Sequence, residues 1–523
     1  MAGGIAAAAV AVGVAQLLGA AFGPEADVRT AVGSAVIELT PGPVKEWAIQ
    51  LFGTADKLFL SVAVLVVIAL LAAVAGLLER KRRPIGSAMI AIAGVVGCAA
   101  VLSRAQGSAV DVIPTIVGAV CGIGTLRLLI SDRFATTGGA GERGEAGGAS
   151  ESGAAGESGE AGEAGPPDRA KRRSLLTLGL IGAGVASGVA GAVITRLTSS
   201  VAGDRQQFAL PEVDVPAPPI PPTVQPKNVN LPSFVTANPD FYRIDTALTV
   251  PQLSREQWEL RIHGMVDREM TFRWGDLDRF EAVEQAVTLT CVSNSVGGEF
   301  VGGARWLGVR LTDVLDMAGV GSTADQILST DFDGMTISTP LDLATDGRDA
   351  MIAIGMNGEA LPRAHGFPAR MVIPGLYGFV SATKWVTRLT LTTYDEASAY
   401  WTDRDWATDA PIKISTRIDT PNALDRLPAG EVVIGGVAWA QQRGGVDQVQ
   451  VQVDGGPWRD AEMGPDVNND YWRQWFFRWD AEPGSHAIAA RAISGDGTTQ
   501  TAVRAQPFPD GASGIQSLMV TVE

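Results

Sequence analysis

One stretch decides how the chain is interpreted: Thr288-Leu-Thr-Cys-Val-Ser-Asn-Ser-Val-Gly-Gly-Glu-Phe-Val-Gly-Gly-Ala-Arg-Trp306. The β-branched residues before Cys291 predict a strand that ends at this cysteine, and a glycine-rich turn is predicted at Gly297-Gly298 and Gly302-Gly303. Glycines let another group approach the backbone closely, which suits a strand end that presents a side chain to a ligand. A lone cysteine is also often a small buried hydrophobe, and the spacing alone leaves both interpretations open.

The composition predicts a membrane part and an acidic part. Of the 523 residues, 46% are hydrophobic, and this suggests membrane segments and two or three domains. The net charge is −16, and the residues from Asp204 onward include 42 acidic and 25 basic side chains. Such acidity argues against nucleic acid as a partner. The three cysteines form no Cys-x-x-Cys motif, which excludes a disulfide framework, attached haem c and a thiolate zinc site.

Five apolar segments are predicted to be transmembrane helices, since roughly 20 helical residues cross a bilayer. The first lacks a basic region before it, so we predict a retained helix rather than a cleaved signal peptide. The first four make residues 1–131 a four-helix membrane region, and the fifth occupies residues 173–198. The segments are Ala2–Phe22, Leu58–Leu78, Ile85–Leu102, Val112–Ile130 and Leu175–Leu197.

Two basic clusters predict the orientation of these helices. Glu79-Arg-Lys-Arg-Arg83 follows the second segment and Arg169-Ala-Lys-Arg-Arg173 precedes the fifth. Both belong on the cytoplasmic side by the positive-inside rule. Five crossings from a cytoplasmic N-terminus then place the residues after about Ser199 outside, so we predict a multi-pass cell-membrane protein with an extracytoplasmic C-terminal part.

Residues 132–172 are predicted to be a disordered cytoplasmic linker. Gly138–Pro167 repeats Gly, Ala, Glu and Ser and has almost nothing apolar to bury. Directly after it, Lys171-Arg-Arg-Ser-Leu-Leu176 resembles an internal, uncleaved twin-arginine export signal. The alternative is ordinary positive-inside charge. An export route for folded proteins suits a domain that acquires a cofactor in the cytoplasm.

Three regions are predicted after the fifth helix. Residues 199–232 are proline-rich and predict a semi-rigid extended stalk. Residues 233–408 show α+β patterning, with a strand at Trp258–Val266 and helices at Trp274–Phe280 and Leu307–Ala318. Residues 409–523 show short alternating strands typical of an antiparallel sandwich. These strands are Val432–Trp439, Val446–Val453, Trp472–Trp479, His486–Ala492 and Ser517–Val522.

Cys291 has no predicted disulfide partner, because Cys98 and Cys121 lie in membrane segments. An unpaired exposed thiol is a liability in an oxidising compartment, and coordination to a metal would occupy it. Zinc would need three more ligands, and His263 and His365 do not supply the usual spacing. Nucleophilic catalysis would need a histidine partner, for which only His365 is suitable, and His263 is expected to be structural. The membrane segments contain no histidine, which excludes a bis-histidine haem b in this chain.

Two motifs carry a resemblance to a known family. Thr288–Val309 resembles the molybdenum-ligand segment of the sulfite oxidase family of molybdopterin enzymes. Leu361-Pro-Arg-Ala-His-Gly-Phe-Pro-Ala-Arg-Met-Val-Ile-Pro-Gly-Leu-Tyr-Gly378, with Lys384-Trp385, is similar to a second segment of that family, and Asn238–Asp245 resembles its first cofactor contact. The β-rich tail is similar to the immunoglobulin-like domain through which many members dimerise. The resemblance covers roughly residues 233–523 and none of the membrane half.

The resemblance implies a molybdenum ion held by one pterin dithiolene, oxo or hydroxo groups and one protein thiolate. Cys291 falls on the thiolate position, as both metal ligand and catalytic residue. A phosphate-bearing pterin favours guanidinium and ammonium donors. For Arg370 the alternative is a surface ion pair. The implied cofactor contacts are Asn238, Tyr242, His365, Arg370 and Lys384.

The sequence departs from the family where the anionic substrate would bind. Arginines follow the metal cysteine in sulfite oxidases, and Ser295 and Val296 stand there in this chain. The active-site tyrosine of the family would fall near Met335. Losing cations from an oxyanion site removes affinity for sulfite. Related periplasmic members reduce S-oxides, including methionine sulfoxide, so sulfite, S-oxides and N-oxides all remain open as substrates.

We therefore predict a membrane-anchored molybdopterin-dependent oxidoreductase that performs two-electron oxygen-atom transfer on the outer face of the membrane. The predicted architecture is an α-helical membrane region, an α+β molybdopterin-binding domain and an immunoglobulin-like β-sandwich. A homodimer and a separate electron-transfer partner, either a cytochrome or a quinone-linked protein, are expected. The alternative is a cofactor-less extracytoplasmic binding or sensor module on the same fold.

Overall fold

The computed structural model describes residues 1–41, 44, 56–80, 83–131, 169–198, 200–227 and 229–523. The chain forms two compact units, residues 1–200 and residues 201–523. Residues 132–168 of the predicted Gly/Ala/Glu linker lie outside the described residues, whereas residues 169–172, predicted as its end, belong to the helix that begins at Arg169.

The first unit is helical, and five of its described helices are long and apolar enough to cross a membrane. Each predicted membrane segment coincides with one of them. A two-residue β-ladder, β1 with β2, joins α3 to α4. The helices are α1 (Ala2–Gly19), α2 (Val28–Leu39), α3 (Asp56–Leu78), α4 (Ile85–Leu102), α5 (Ile113–Ile130) and α6 (Arg169–Thr198), and the strands are β1 (Glu79–Arg80) and β2 (Arg83–Pro84).

Small residues let the helices of this unit approach one another closely. A Cβ atom added at Gly13 in α1 would lie 2.1 Å from the carbonyl oxygen of Gly184 in α6. Added at Gly118 in α5, it would lie 2.4 Å from the carbonyl oxygen of Ala11. Close contact through glycine and alanine is how membrane helices gain packing energy where the hydrophobic effect between helices is weak.

The second unit begins with two mixed sheets. One has the strand order β10-β9-β6-β5 with β11 on β9, and the other has the order β4-β3-β12-β7-β8. Only β3 and β12 run parallel within these two sheets. The strands are β3 (Glu259–Gly264), β4 (Met270–Arg273), β5 (Val283–Thr290), β6 (Val301–Arg310), β7 (Gln326–Asp331), β8 (Thr336–Pro340), β9 (Met351–Met356), β10 (Glu359–Ala360), β11 (Arg370–Val372) and β12 (Val386–Thr392). The helices are α7 (Ala202–Gln207), α8 (Leu311–Ala318), α9 (Leu341–Ala344) and α10 (Gly378–Ser381), with 3₁₀ turns at Pro24–Ala26, Ala109–Val112, Trp274–Arg279, Arg363–His365 and Thr402–Arg404.

Two local predictions in this region are wrong. The predicted turn at Gly302-Gly303 is part of β6, where these glycines pair with Leu289 and Thr288 of β5. The predicted helix at Leu307–Ala318 begins only at Leu311, because residues 307–310 pair with β9 and stay in β6. Strand β6 is hydrogen-bonded to β5 on one side and to β9 on the other. This pairing outweighs the helical spacing of the apolar residues at its end.

The proline-rich segment is not a free-standing stalk. Val215 forms a parallel bridge with Val283, and the Asp214 side chain accepts a 2.8 Å hydrogen bond from the Ala282 backbone. Val224 is buried in the main core of the unit. The extended prolines therefore lie along the sheet, since apolar side chains between them gain burial there.

The C-terminal region is β-rich and consists of two sheets around a common apolar core. The sheet orders are β13-β15-β19-β18 and β14-β21-β20-β16-β17. The five strands predicted from alternation are all strands, and the immunoglobulin-like assignment stays a prediction. The strands are β13 (Ser415–Thr420), β14 (Arg426–Leu427), β15 (Gly430–Trp439), β16 (Val446–Val453), β17 (Arg459–Asp460), β18 (Glu462–Met463), β19 (Arg473–Ala481), β20 (Gly484–Ser494) and β21 (Gln516–Val522).

The α+β and β-rich regions share their main core. Val437, Trp439, Tyr471 and Trp472 belong to the same buried cluster as Trp258. Tyr471 and Trp472 both donate to the carbonyl oxygen of Phe234, at 2.9 and 2.8 Å. The β-rich region therefore packs directly behind the strands that carry the candidate site.

Candidate functional site

Cys291 follows the last residue of β5 and opens a closed ten-residue loop to β6. Its backbone N–H donates to the carbonyl oxygen of Phe300 at 2.9 Å, and its own carbonyl accepts from Asn294 at 3.0 Å. The Asn294 side chain in turn accepts from the Phe300 backbone at 2.9 Å. These bonds hold the end of the strand, and the thiol with it, in one conformation.

The Cys291 side chain is buried, with 8% of its surface exposed. Burial raises the pKa of the thiol, whereas hydrogen bonds from Ser293 and the positive charge of Lys384 oppose that rise. The neutral thiol is therefore favoured until a metal ion or another cation compensates the thiolate. The hydroxyl of Thr290, the preceding residue, is buried without a hydrogen-bond partner among the described residues.

Tyr242 interacts electrostatically with both the cysteine and a buried arginine. Burial raises the pKa of its hydroxyl; Cys291 adds to this rise and Arg370 opposes it. Its ring stacks on Phe241 with centroids 5.2 Å apart and reaches Phe300 at 6.3 Å. The phenol thus stays a neutral hydrogen-bond donor beside the thiol.

Arg370 is a buried cation without a carboxylate. Only 3% of its surface is exposed, and no acidic side chain in the described part of the chain forms an ion pair with it. Its guanidinium donates to the carbonyl oxygens of His365 at 3.1 Å and Ala382 at 3.3 Å and lies 4.9 Å from the Trp306 ring centroid. Burial lowers its pKa to about 10, so it still carries its charge at neutral pH. A buried uncompensated charge is costly, and an anionic ligand would relieve the cost.

Lys384 belongs to a second charged group in the same site. Its ammonium lies 3.0 Å from Asp245, a carboxylate that Arg243 also contacts at 2.8 Å. Burial lowers the pKa of Lys384 to about 8, and Asp245 opposes that shift. Two cations thus share one carboxylate, and with Arg370 the site has a net charge of +2 within this group.

His365 belongs to the same site as these cations but is itself neutral. Burial, together with the charges of Lys384 and Arg370, lowers its pKa to about 3. Its Nε2 lies 3.2 Å from the carbonyl oxygen of Asn238, and its ring meets Phe241 edge-on. Its Nδ1 is buried and has no hydrogen-bond partner among the described residues. One ring nitrogen is therefore left for a ligand.

The structure brings the backbone of Asn238 to the site rather than its amide. The side-chain nitrogen donates to Met356 and Glu359, and the side-chain oxygen accepts from Asn357 at 2.8 Å. The amide fixes the turn between β9 and β10. Asn238 was predicted as a cofactor contact, and in the structure its carbonyl oxygen makes the direct contact to His365.

The arrangement fits a phosphate-bearing cofactor beside a thiolate ligand. An anionic group would compensate both the unpaired charge of Arg370 and the excess positive charge around Asp245. The orphaned Nδ1 of His365 would accept a hydrogen bond from a donor of the same cofactor. The cations would also stabilise Cys291 as a thiolate. No group of three or more His, Cys, Asp or Glu side chains suited to a metal ion occurs in the described ranges, so Cys291 alone would supply a protein ligand.

The sequence interpretation missed three residues of this site. Arg243 and Asp245 lie in the segment flagged as a cofactor contact, but nothing local indicated that Asp245, which Arg243 contacts, also pairs with Lys384, 139 residues away. Tyr377 is buried, and Cys291 is among the groups that raise its pKa, after burial and Asp510. Pairing between residues far apart in the chain leaves no local sequence pattern. Tyr377, by contrast, lies inside the second motif and could have been named as a candidate site residue.

The positions that depart from the resemblance carry no charge. Ser295 is exposed, Val296 is half-buried and Met335 donates its backbone N–H to Asp331 at 2.9 Å. His263 lies on β3 and forms a 3.0 Å hydrogen bond with Thr390, as expected of a structural histidine.

Comparisons with known proteins match the same part of the chain. Residues 247–401 match the model of the oxidoreductase molybdopterin binding domain. Mitochondrial sulfite oxidase of Rattus norvegicus is 32% identical over 273 residues, which cover 44% of this chain and 50% of that protein. The enzyme of Homo sapiens is 30% identical over 294 residues, covering 46% and 52%.

Two further matches are to a plant enzyme and to a solved structure. NADH nitrate reductase of Solanum lycopersicum is 31% identical over 194 residues, 32% of this chain and 21% of that protein. The crystal structure of the sulfane dehydrogenase SoxCD from Paracoccus pantotrophus aligns with a TM-score of 0.46 and 25% identity, over 53% of this chain and 80% of that chain. The chain spans about half the length of the curated sulfite oxidases it matches.

Proposed function

Because the chain belongs to the sulfite-oxidase-like family of molybdopterin-dependent oxidoreductases, we propose that it is a membrane-anchored enzyme for two-electron oxygen-atom transfer. Cys291 is the protein ligand of its molybdenum, and the reaction takes place in the second unit. The observation that carries this proposal is the presence in one site of a buried thiol and of Arg370, a buried cation that lacks a carboxylate, both of which interact with Tyr242.

Each charged residue has a distinct part in holding the cofactor. Arg370 binds the phosphate through the N–H groups that are not used in its bonds to the carbonyl oxygens of Met371, His365 and Ala382, and these three bonds fix the guanidinium in place. Lys384 adds a second positive charge, positioned by Asp245. His365 donates from Nε2 to the Asn238 carbonyl oxygen, so its Nδ1 accepts a hydrogen bond from an N–H of the pterin.

The bound group supplies a metal centre that accepts or donates an oxygen atom with two electrons. The residues of the chain form the surroundings of this metal centre. Tyr242 stays protonated and offers a hydrogen bond next to Cys291, and the buried walls exclude bulk water from the thiolate. The loop from Cys291 to Phe300 keeps the ligand sulfur fixed during turnover.

The substrate is a small S-oxide, N-oxide or sulfite-type molecule, with neutral oxides favoured. Ser295 and Val296 offer no positive charge where sulfite oxidases carry arginine, so an oxyanion gains little at this position. A neutral oxide needs only a hydrogen-bond donor to its oxygen. Tyr242 is one such donor beside the thiol.

The first unit anchors the enzyme in the cell membrane with the catalytic unit outside. Five helices long and apolar enough to cross a bilayer, and the two basic clusters, support this topology. Export of the folded unit follows the twin-arginine motif Arg172-Arg173. Replacing both arginines with lysine should leave the second unit protected from external protease in whole cells, and unchanged cleavage contradicts this route.

The test of the proposed function is the metal content of the purified protein. Wild-type protein from a host that makes molybdopterin should hold about one molybdenum per chain, and Cys291→Ser should lose most of it. Cys98→Ser, in helix α4, serves as the matched control and should keep its metal. Metal-free wild-type protein from a competent host favours a cofactor-less binding module instead.

A further inference from the structure

Residues 201–208, called here the strap, begin the second unit. They precede residues 247–401, which match the molybdopterin binding domain. Val201 is nevertheless buried, in the same apolar cluster as Phe241 and Trp306, two aromatic side chains of the candidate site. Burial of apolar surface stabilises this packing, so the strap is part of the folded unit.

An ion pair and an aromatic contact fix the strap from its other side. Asp204 accepts hydrogen bonds from the backbone and the side chain of Arg255, both at 2.8 Å. The Arg255 guanidinium lies 4.7 Å from the ring centroid of Phe208, and that ring meets Trp274 edge-on at 5.1 Å. The backbone between Asp204 and Phe208 is therefore held in place, and Arg205 with it.

Arg205 extends from the strap to the start of the second cofactor motif. Its Nε donates to the carbonyl oxygen of Leu361 and its Nη2 to that of Ala360, both at 2.8 Å. The same Nη2 lies 3.0 Å from a carboxylate oxygen of Glu359. One guanidinium thus binds three consecutive residues, and its donors form a rigid fork. Leu361 is the first residue of the motif that contains His365.

Glu359 links Arg205 to Asn238 and so to the site. Its Oε1 accepts a hydrogen bond from the Asn238 amide at 2.6 Å. The hydrogen bond with Asn238, and then the Arg205 guanidinium, lower the pKa of Glu359, so the carboxylate stays charged at neutral pH. The backbone carbonyl of Asn238 lies 3.2 Å from Nε2 of His365. A carbonyl oxygen only accepts, so Nε2 carries the imidazole proton and Nδ1 is unprotonated.

We propose that Arg205 is a positioning residue of the cofactor pocket. It acts through Glu359 and Asn238, and it holds His365 in the tautomer whose Nδ1 accepts a hydrogen bond from the pterin. The inference rests on the proposed function, which gives His365 its contact with the cofactor. Without Arg205, the Glu359 side chain, which is already 54% exposed, turns into solvent. The Asn238 carbonyl then loses its fixed direction, and the ring that it orients is free to change tautomer.

The alternative is that Arg205 only fastens the strap to the unit. A fastening bond affects stability, whereas a positioning residue also affects the tautomer of His365 and the residence time of the cofactor. Arg473 is a matched control, because it too donates to two backbone carbonyl oxygens, those of Gly464 and Val446, at 2.7 and 2.9 Å. It lies in the β-rich region, so its replacement should affect stability alone.

Cofactor release tests the role of Arg205 in the loaded protein. Full-length holoprotein in detergent is diluted and filtered at intervals, and the molybdenum that remains with the protein is measured. We expect Arg205→Met and Glu359→Ala each to speed release about tenfold, the lower end of the usual cost of losing a contact that orients a ligand. The double variant should release no faster than the faster single variant, because both changes break the same chain of contacts. Arg473→Met should release at the wild-type rate.

Nitrogen NMR tests the tautomer without the cofactor. The chain has three histidines, so the imidazole spectrum of full-length apoprotein with isotope-labelled histidine is simple, and His365→Gln identifies the signals of His365. The wild type should show one protonated and one unprotonated nitrogen, with the proton on Nε2. In Arg205→Met and Glu359→Ala the two chemical shifts should move towards each other as the tautomers mix. The spectrum of Arg473→Met should match that of the wild type.

The outcomes distinguish this inference from the proposed function. Metal-free wild-type protein from a competent host, with the tautomer change present in the variants, removes the proposed function and keeps Arg205 as the residue that positions His365. Molybdenum-loaded wild-type protein, with release and tautomer unaltered in both single variants, overturns the role of Arg205 alone. Additive effects in the double variant, or equally fast release from Arg473→Met, also overturn it. If Arg205→Met does not fold, Glu359→Ala decides the question, because its side chain is exposed.

Discussion

The guanidinium of Arg370 lies 4.9 Å from the ring centroid of Trp306, deep in the second unit. Trp306 lies on β6, the strand paired with the one that delivers Cys291, and its indole N–H donates to Val287 at 3.2 Å. The strand pair therefore positions both the thiol and the platform for the cation. A buried arginine held by a ring and carbonyl oxygens, without a carboxylate, is preorganised for an anion.

Replacing Arg370 with methionine should remove cofactor binding and spare the fold. The apo form loses a buried charge that has no ion pair, so its melting temperature should stay the same or rise. The measurement is cofactor content together with the melting temperature of the apo protein. Arg348→Met is the matched control, because this arginine pairs with Asp346 at 2.7 Å; it should lower stability and keep the cofactor. Full cofactor occupancy in Arg370→Met contradicts the assignment.

Asp331 should make the stability of the protein fall as the pH rises. Burial raises the pKa of this carboxyl to about 8, and the charge of Asp333 adds to the rise. The folded state therefore binds more protons than the unfolded state between about pH 4 and pH 8, so folding stability declines across that window. Asp331→Asn should melt higher than wild type at pH 8 and show little gain at pH 4, whereas the exposed control Asp316→Asn should show neither difference. An equal gain at both pH values would show that Asp331 is not buried as a neutral acid.

Gly303→Ala should destabilise the second unit, because the added Cβ would lie 2.6 Å from the hydroxyl oxygen of Tyr471. Tyr471 is buried and bonded to Phe234, so it has little room to move. Overpacking of this kind costs about 1–3 kcal/mol of unfolding free energy. Gly275→Ala has open space around the new methyl group and should leave the thermal midpoint nearly unchanged.

A positive charge introduced at Val296, shortly after Cys291, should shift the substrate preference towards sulfite. Val296→Arg should raise kcat/KM for sulfite by about tenfold, since a guanidinium binds an oxyanion better than an alkyl group does. Turnover of a neutral S-oxide should stay flat or fall. Steady-state assays of wild type and variant with an artificial electron carrier make the comparison, and high sulfite turnover in the wild type refutes the proposed substrate preference.

Much of the fold could be predicted from periodic patterns in the sequence. The five strands of the β-rich region alternate because one face of each is buried against the core, and all five are present. The five long apolar helices are present as well. Leu307–Arg310 was assigned wrongly because the pairing partner in β9 lies more than 40 residues away and leaves no local trace.

The site could be predicted only in part. The family was predicted from the motifs around Cys291 and His365 and is confirmed by the matching domain and the sulfite oxidase relatives. Arg243 and Asp245 were not predicted, because their role depends on Lys384 reaching across the fold. Asn238 was predicted as a cofactor contact. The motif does not say which atoms of the residue face the site, and in the structure the contact with His365 is made by its backbone carbonyl.

X-ray absorption at the molybdenum edge tests the central claim most directly, because it counts the sulfur atoms bound to the metal. With Cys291 as ligand, wild-type protein should show three sulfurs, two from the pterin dithiolene and one from the protein. Any metal retained by Cys291→Ser should show two. Two sulfurs in the wild type, or an unchanged count in the variant, would contradict Cys291 as the metal ligand.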